Sequence, residues 1–140
     1  MNSAYSSKIH LRWSDLDPNV HVRHSVYYDW GAQARMEILM KIGLSPQALS
    51  SRGVGVILME ESCKFRREIK YGDQITMLSN WQPEGPNGED HLFSFVHRIH
   101  KGQDTFCAEI NILGGWIDLK KRKLCGPPED LKQLIDRGMT

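Results

Sequence analysis

Asp15, Asp17, His21 and His24 form the densest group of titratable side chains in the sequence. Two acids and two histidines within ten residues are the types that activate water, orient a carbonyl or hold a divalent ion. Pro18 turns Asp17 away from helical backbone angles and Asn19 favours a turn, so the group sits on a loop. Ser25 follows as the N-cap of a predicted helix. The free N–H groups of a first helical turn can polarise a carbonyl, and a carboxylate and a histidine beside them suit acyl transfer. The same residues also read as Asx turns with exposed loop histidines, or as oxygen and nitrogen ligands of a metal. No HExxH, GxSxG or CxxC accompanies them, so the familiar zinc-protease, nucleophile-elbow and paired-cysteine routes lack the residues they need.

The elements that must position this loop follow from periodicity. Ile9, Leu11 and Trp13 alternate with Lys8, His10 and Arg12, which predicts a strand with those three side chains inward. From Ser25, Tyr27, Gly31, Ala34, Ile38 and Ile42 recur at helical spacing with Trp30 and Leu39 alongside, and Gly43 supplies a left-handed stop. A short helix is predicted from Ser45-Pro46 to Arg52. Val54–Met59 is apolar on both faces, which predicts a strand buried on both sides and polar from Glu60 onward. Ile75, Met77 and Trp81 mark another strand, the break Gly85-Pro86-Asn87-Gly88 leads to a strand marked by Phe93, Phe95 and Ile99, and Phe106 to Ile112 mark the return. Gly114-Gly115 is expected to bend that last strand. Pro127-Pro128 opens a terminal helix with Leu131, Leu134 and Ile135 on one side, stopped by Gly138. The pattern is α+β, an antiparallel sheet with one helix packed on a face, and such a sheet protects its edges most simply by self-association.

With 140 residues, 40% hydrophobic and 25% charged, a single domain spanning 1–140 is expected. The 18 basic residues nearly balance 17 acidic ones, so no charge excess advertises nucleic acid or a membrane surface, and the expected partner is a small molecule or a second copy. Cys63, Cys107 and Cys125 are widely spaced and read as reduced thiols. The polar start Asn2–Lys8 and the lack of a long apolar run point to the cytoplasm.

The run Arg12-Trp13-Ser14-Asp15-Leu16-Asp17-Pro18-Asn19-Val20-His21-Val22-Arg23-His24-Ser25-Val26-Tyr27 resembles the signature loop of the hotdog-fold thioesterases, in the branch of 4-hydroxybenzoyl-CoA thioesterase and the YbgC-type acyl-CoA thioesterases. Phe65–Asp73 is similar to that family's strand-turn motif, and Trp116-Ile117-Asp118 with Pro127-Pro128 resembles its closing strand and tail. The resemblance implies an antiparallel five-stranded sheet wrapped around one long central helix. It implies an acyl-CoA thioesterase without cofactor or metal, with Asp17 as general base or nucleophile and His24 as its catalytic partner. His21, Ser25, Tyr28, Met59, Arg66 and Arg67 are then the substrate-binding residues, the arginines meeting the coenzyme A phosphates, and the assembly is a homodimer or a dimer of dimers. Asp29 and Glu37 stand in reserve, since another hotdog branch uses a helical carboxylate. Val20 stands where the family usually has glycine, and Arg67-Glu68 where its turn has proline. A hotdog module that binds acyl-CoA or an acylated carrier protein without hydrolysing it is the alternative from another class.

Overall fold

The computed structural model describes residues 4–127 and 129–138. Met1–Ser3, Pro128 and the side chains of Leu131 and Ile135, to which some expectations above refer, lie outside the described residues. The strands are β1 (Tyr5–Ile9), β2 (Val54–Phe65), β3 (Ile75–Gln82), β4 (Leu92–Lys101), β5 (Thr105–Asp118) and β6 (Lys123–Leu124). The helices are α1 (Val26–Lys41), α2 (Pro46–Ser51) and α3 (Glu129–Gly138). All strand pairs are antiparallel in the order β1-β3-β4-β5-β2, with the two-residue β6 added beside β5. The class and the number of main strands match the expectation, with the first strand lying earlier in the chain than the alternation of Ile9, Leu11 and Trp13 predicts. No helix among the described residues is long and apolar enough to cross a membrane.

The sheet faces α1 with a continuous apolar surface from β3, β4 and β5, on which Met77, Trp81, Phe95, Ile99, Ile110 and Trp116 are buried. The opposing stripe of α1 is Val26, Tyr27, Trp30, Gly31, Ala34, Ile38 and Leu39. Gly31 lies over the β4 residue His97. A Cβ there would lie 3.2 Å from the His97 ring and 3.1 Å from the Arg35 guanidinium, so a side chain would press on both and displace the guanidinium by a few tenths of an ångström.

Two expectations are corrected. Trp13 does not point inward: β1 ends at Ile9, and Trp13 lies in a 3-10 turn with 84% of its surface exposed. The Asp15 carboxylate closes that turn by accepting from the backbone N–H of Arg12 at 2.9 Å and its Nη2 at 2.8 Å, and the strand ends four residues before Trp13. The stretch Val54–Met59 is not buried on both sides. Only Val54 is, while Val56, Ile57, Leu58 and Met59 are 36–51% exposed. The reason is topological: β2 does not pair with β3, its successor, but crosses to the far edge and has β5 as its one neighbour. At Gly114-Gly115, where a bend is expected, β5 keeps its pairing while the register shift falls on the opposite strand, where Met59 is skipped between Leu58 and Glu60. The glycines also make room, since a Cβ on Gly114 would strike the Phe93 ring at 2.5 Å.

Candidate active site

The loop from Asp15 to Ser25 is held at both ends. Asp15 is 1% exposed; burial pushes its carboxyl pKa up, but the Arg12 side-chain and backbone hydrogen bonds outweigh that and hold it below the usual value. Its carbonyl accepts from Arg23 N–H at 2.8 Å, and Val22 N–H donates to the Ile69 carbonyl at 2.9 Å. Leu16 bridges Val22, and His21 bridges Lys70. Asp15 is therefore the anchor of the loop, and Asp17 is what the anchored loop presents.

Asp17 Oδ1 accepts from the backbone N–H of Asn19 at 2.8 Å and of His21 at 3.1 Å. The Asx-turn reading of this residue is thus correct, and the turn aims the carboxylate. Val20 completes the turn with φ +64°, a left-handed conformation that suits glycine and strains a β-branched side chain. Val20 keeps the backbone that a glycine would adopt, at a cost, and its side chain is exposed. Val20→Gly is expected to raise stability by about 0.5–1 kcal/mol, read as an upward shift of the thermal midpoint of about 2–4 °C.

Asp17 opens into a cavity of ≈ 350 Å³ whose wall includes His21, His24, Tyr27, Phe65, Arg66 and Arg67. Five of the eight residues expected at the site, Asp17, His21, His24, Arg66 and Arg67, are brought together there. His21 Nε2 lies 3.1 Å from Oε2 of Glu68, another residue of the cavity wall. The Arg66 and Arg67 backbone N–H groups both donate to the Cys107 carbonyl, at 2.7 and 3.0 Å, and this leaves two exposed guanidinium groups at the cavity rim. The N-terminus of α1 enters beside them through His24 and Tyr27. Tyr27 is a wall and not a base: burial and the nearby Cys107 and Cys63 thiols push its phenol up to about 12. Burial, then Glu61, pushes the Cys63 thiol up to about 11, which leaves it un-ionised and a small apolar residue at neutral pH.

Ser25, Tyr28 and Met59 do not line this cavity. Ser25 is the N-cap position by geometry, but its side chain makes no cap hydrogen bond and instead accepts from Arg23 Nη1 at 3.1 Å. The first-turn N–H groups of α1 are therefore uncapped by that hydroxyl. Tyr28 turns toward β2, where burial and the neighbouring Cys63 and Glu61 raise its phenol pKa. Met59 sits in the β2 bulge, its Sδ 3.4 Å from where a Gly115 Cβ would be. Among the reserve acids, Glu37 accepts from Tyr5 Oη and Gln33 Nε2, both at 3.1 Å, and Asp29 is exposed outside the cavity. Among the described residues no three His, Cys, Asp or Glu side chains are grouped to share a metal ion.

Sequence reasoning missed Arg35 altogether. It interrupts the inner face of α1 with its side chain 15% exposed, and its Nη1 lies 3.1 Å from His97 Nε2. His97 in turn meets Ser79 Oγ through Nδ1 at 2.7 Å. An arginine four residues after Gly31 is the signal that could have been read, because only a missing side chain there leaves space for a guanidinium.

Comparison with known proteins agrees with this architecture. The chain superimposes on 1,4-dihydroxy-2-naphthoyl-CoA thioesterase from Synechocystis with a TM-score of 0.83 at 18% identity, over 95% of this chain and 96% of that one. A Staphylococcus aureus protein solved in complex with CoA gives 0.86 at 14% identity, over 99% and 85%. The DHNA-CoA thioesterase of the same organism gives 0.82 at 13% identity, over 96% and 89%. At such identities the likeness establishes the shared fold, a curled antiparallel sheet around one long helix. The family model of the thioesterase-like superfamily matches residues 11–135, and the chain accordingly belongs to that superfamily, folded as a hotdog domain.

Proposed function

We propose that the protein is a cytoplasmic acyl-CoA thioesterase that hydrolyses an acyl-CoA to the free acid and CoA in the Asp17 cavity. The observation that carries this reading is the Asp17 carboxylate itself: one oxygen is held by two backbone N–H groups, and it faces a cavity shared with His24 and the start of α1. The free oxygen takes a proton from water as the water attacks the thioester carbonyl, or attacks that carbonyl itself to give an anhydride that water then opens. Negative charge develops on the carbonyl oxygen in either case, and the first-turn N–H groups of α1 after Val26, whose own N–H donates to the Arg23 carbonyl, are suited to receive it. Collapse expels the CoA thiolate, which takes a proton. His24 orients the water or the thioester, His21 shapes the wall, and Arg66 and Arg67 meet the phosphates of CoA. Neither route uses a cofactor. The structures whose names specify CoA thioesterases, and the one solved with CoA, support CoA as the carrier. The test is thiol release from a panel of short, long and aromatic acyl-CoA esters. Release from at least one is the expected result, and release from none would overturn the reading in favour of binding without hydrolysis.

The working unit in this reading is a homodimer, two of which can pair. The support is β2, a twelve-residue strand with β5 on one edge only and with Val56, Ile57, Leu58 and Met59 exposed in a row. A long apolar edge is the kind of surface that another chain covers. Leu58→Arg is expected to shift the protein from dimer to monomer in sedimentation; a parent protein that already sediments as a monomer would contradict this.

A further inference from the structure

The charge balance of the whole chain conceals one local concentration. Lys120, Lys121, Arg122 and Lys123 are four of the 18 basic residues set against 17 acidic ones, so the remainder of the molecule is net negative. They fill the turn between β5 and β6 and the first position of β6. All four are exposed, and no ion pair among the described residues includes one of them. The turn that carries them is fixed. Asp118 Oδ1 accepts from the Lys120 and Lys121 N–H groups at 2.9 and 2.8 Å, the Asp118 carbonyl accepts from Arg122 N–H at 2.8 Å, and β6 pairs with β5 through Asp118 and Lys123, and Ile117 and Leu124. These bonds use the backbone of the cationic residues, so their side chains play no part in holding the turn.

Arg122 adopts φ +57°, a left-handed conformation that glycine or asparagine takes at less steric cost. Local backbone chemistry favours another residue there, and what arginine adds is charge. The position of the turn excludes service to the Asp17 cavity within one chain. Val54, opposite Asp118, and Phe65, opposite Ala108, lie at the two ends of β2, about 35 Å apart along the strand, and Phe65 is the one that walls the cavity. Leu124, next to the cations, is 42% exposed and offers an apolar contact beside them. The exposed aromatic side chains Trp13, Phe65 and Tyr71 follow the end of β1, end β2 and precede β3, at the other end of the sheet, so bases have no ring to stack on near the turn. Fixed cations with an aliphatic side chain and no aromatic platform suit lipid headgroups over nucleic acid.

We propose that the β5–β6 turn docks the protein on an anionic phospholipid membrane, with Lys120, Lys121, Arg122 and Lys123 meeting the headgroup phosphates and Leu124 entering the interface. This goes beyond the thioesterase reading and does not depend on it, since the Asp17 cavity lies at the other end of the sheet. Each cation near an anionic surface contributes about fivefold to affinity, and the attraction fades within a Debye length, so the attachment is reversible and weakens as salt rises.

The test is co-sedimentation of the full chain with vesicles of phosphatidylcholine alone and of phosphatidylcholine mixed with phosphatidylglycerol. Binding to the anionic vesicles only is expected, weakened by added salt, about fivefold by Arg122→Gly and about 25-fold by Lys120→Gln combined with Lys121→Gln. Unfolding does not account for such losses. The glutamines keep the N–H groups that Asp118 holds, and Arg122→Gly places at φ +57° the residue that adopts it most readily. Equal binding to both vesicles, binding to neither, or binding that these substitutions leave unchanged would overturn the proposal. Tighter binding to duplex DNA than to the anionic vesicles would overturn it too, and would assign the turn to nucleic acid instead.

Discussion

Asp17→Asn is expected to lower thioester turnover by about 10²–10⁴-fold, the usual contribution of a positioned general base, and by more if Asp17 is the nucleophile. The substitution is informative because it leaves the loop intact. The Asn side-chain oxygen still accepts from Asn19 and His21 N–H, the two bonds that now aim Asp17 Oδ1, while the proton-accepting charge is gone. Thermal unfolding of the variant is expected within about 0.5 kcal/mol of the parent. Activity within threefold of the parent would exclude Asp17 from the chemistry. Single turnover in ¹⁸O-water tests the nucleophilic route in which water opens the anhydride at the Asp17 carbonyl, since that route alone leaves the label in the Asp17 carboxylate and an unlabelled product acid.

The second large effect concerns stability in mild acid. Burial, and then the Arg35 charge, pushes His97 from its ordinary 6.5 down to about 3. Its Nε2 faces an arginine N–H and so must accept, which leaves Nδ1–H for Ser79 Oγ. In the unfolded chain the imidazole takes a proton near pH 6.5, whereas the native one does so only near 3. Between those values the unfolded state binds more protons, so stability falls as the pH falls. From pH 7 to pH 4 the loss from His97 alone is about 3 kcal/mol. Asp15, held below the usual carboxylate value of 3.8, contributes its own loss only below that window. Urea unfolding at pH 7 and pH 4 checks this against His97→Gln, which can accept from Arg35 and donate to Ser79 without titrating. The parent is expected to lose about 3 kcal/mol more than the variant, and equal losses would refute it.

Local chemistry made much of the fold readable. The α1 stripe, the Pro46 start of α2 and the alternation in β3 and β4 are each dictated by residues within one element, and each appears where periodicity places it. The site loop was readable for the same reason, since Asp17, Pro18 and Asn19 make their turn among themselves. What could not be read depends on partners distant in sequence. Val54–Met59 reads as doubly buried because nothing in those six residues reveals that β2 has a neighbour on one side only. Trp13 reads as inward until Arg12 closes onto Asp15 three residues later. Arg35 looks like an ordinary surface arginine until Gly31 and His97, from a helix and a strand 66 residues apart, define the space it fills. Ser25, Tyr28 and Met59 do not line the Asp17 cavity, because Ser25 is engaged by Arg23 and Met59 lies in the β2 bulge beside Gly115, contacts that family pattern does not encode.

The route of β2 to the far edge also sets the order in which the chain can fold as it is synthesised. Its one strand partner is β5, with Val54 opposite Asp118 and Phe65 opposite Ala108, and β1 likewise waits for β3 at Ile75–Ser79. A nascent chain that has released α1 and β2 therefore carries an apolar helix face and two open strand edges until some fifty further residues have emerged. Long-range pairings of this kind fold slowly and leave sticky surface exposed meanwhile. The yield of native protein is thus governed by events after residue 105, and slowing elongation before β5 prolongs the vulnerable interval instead of relieving it.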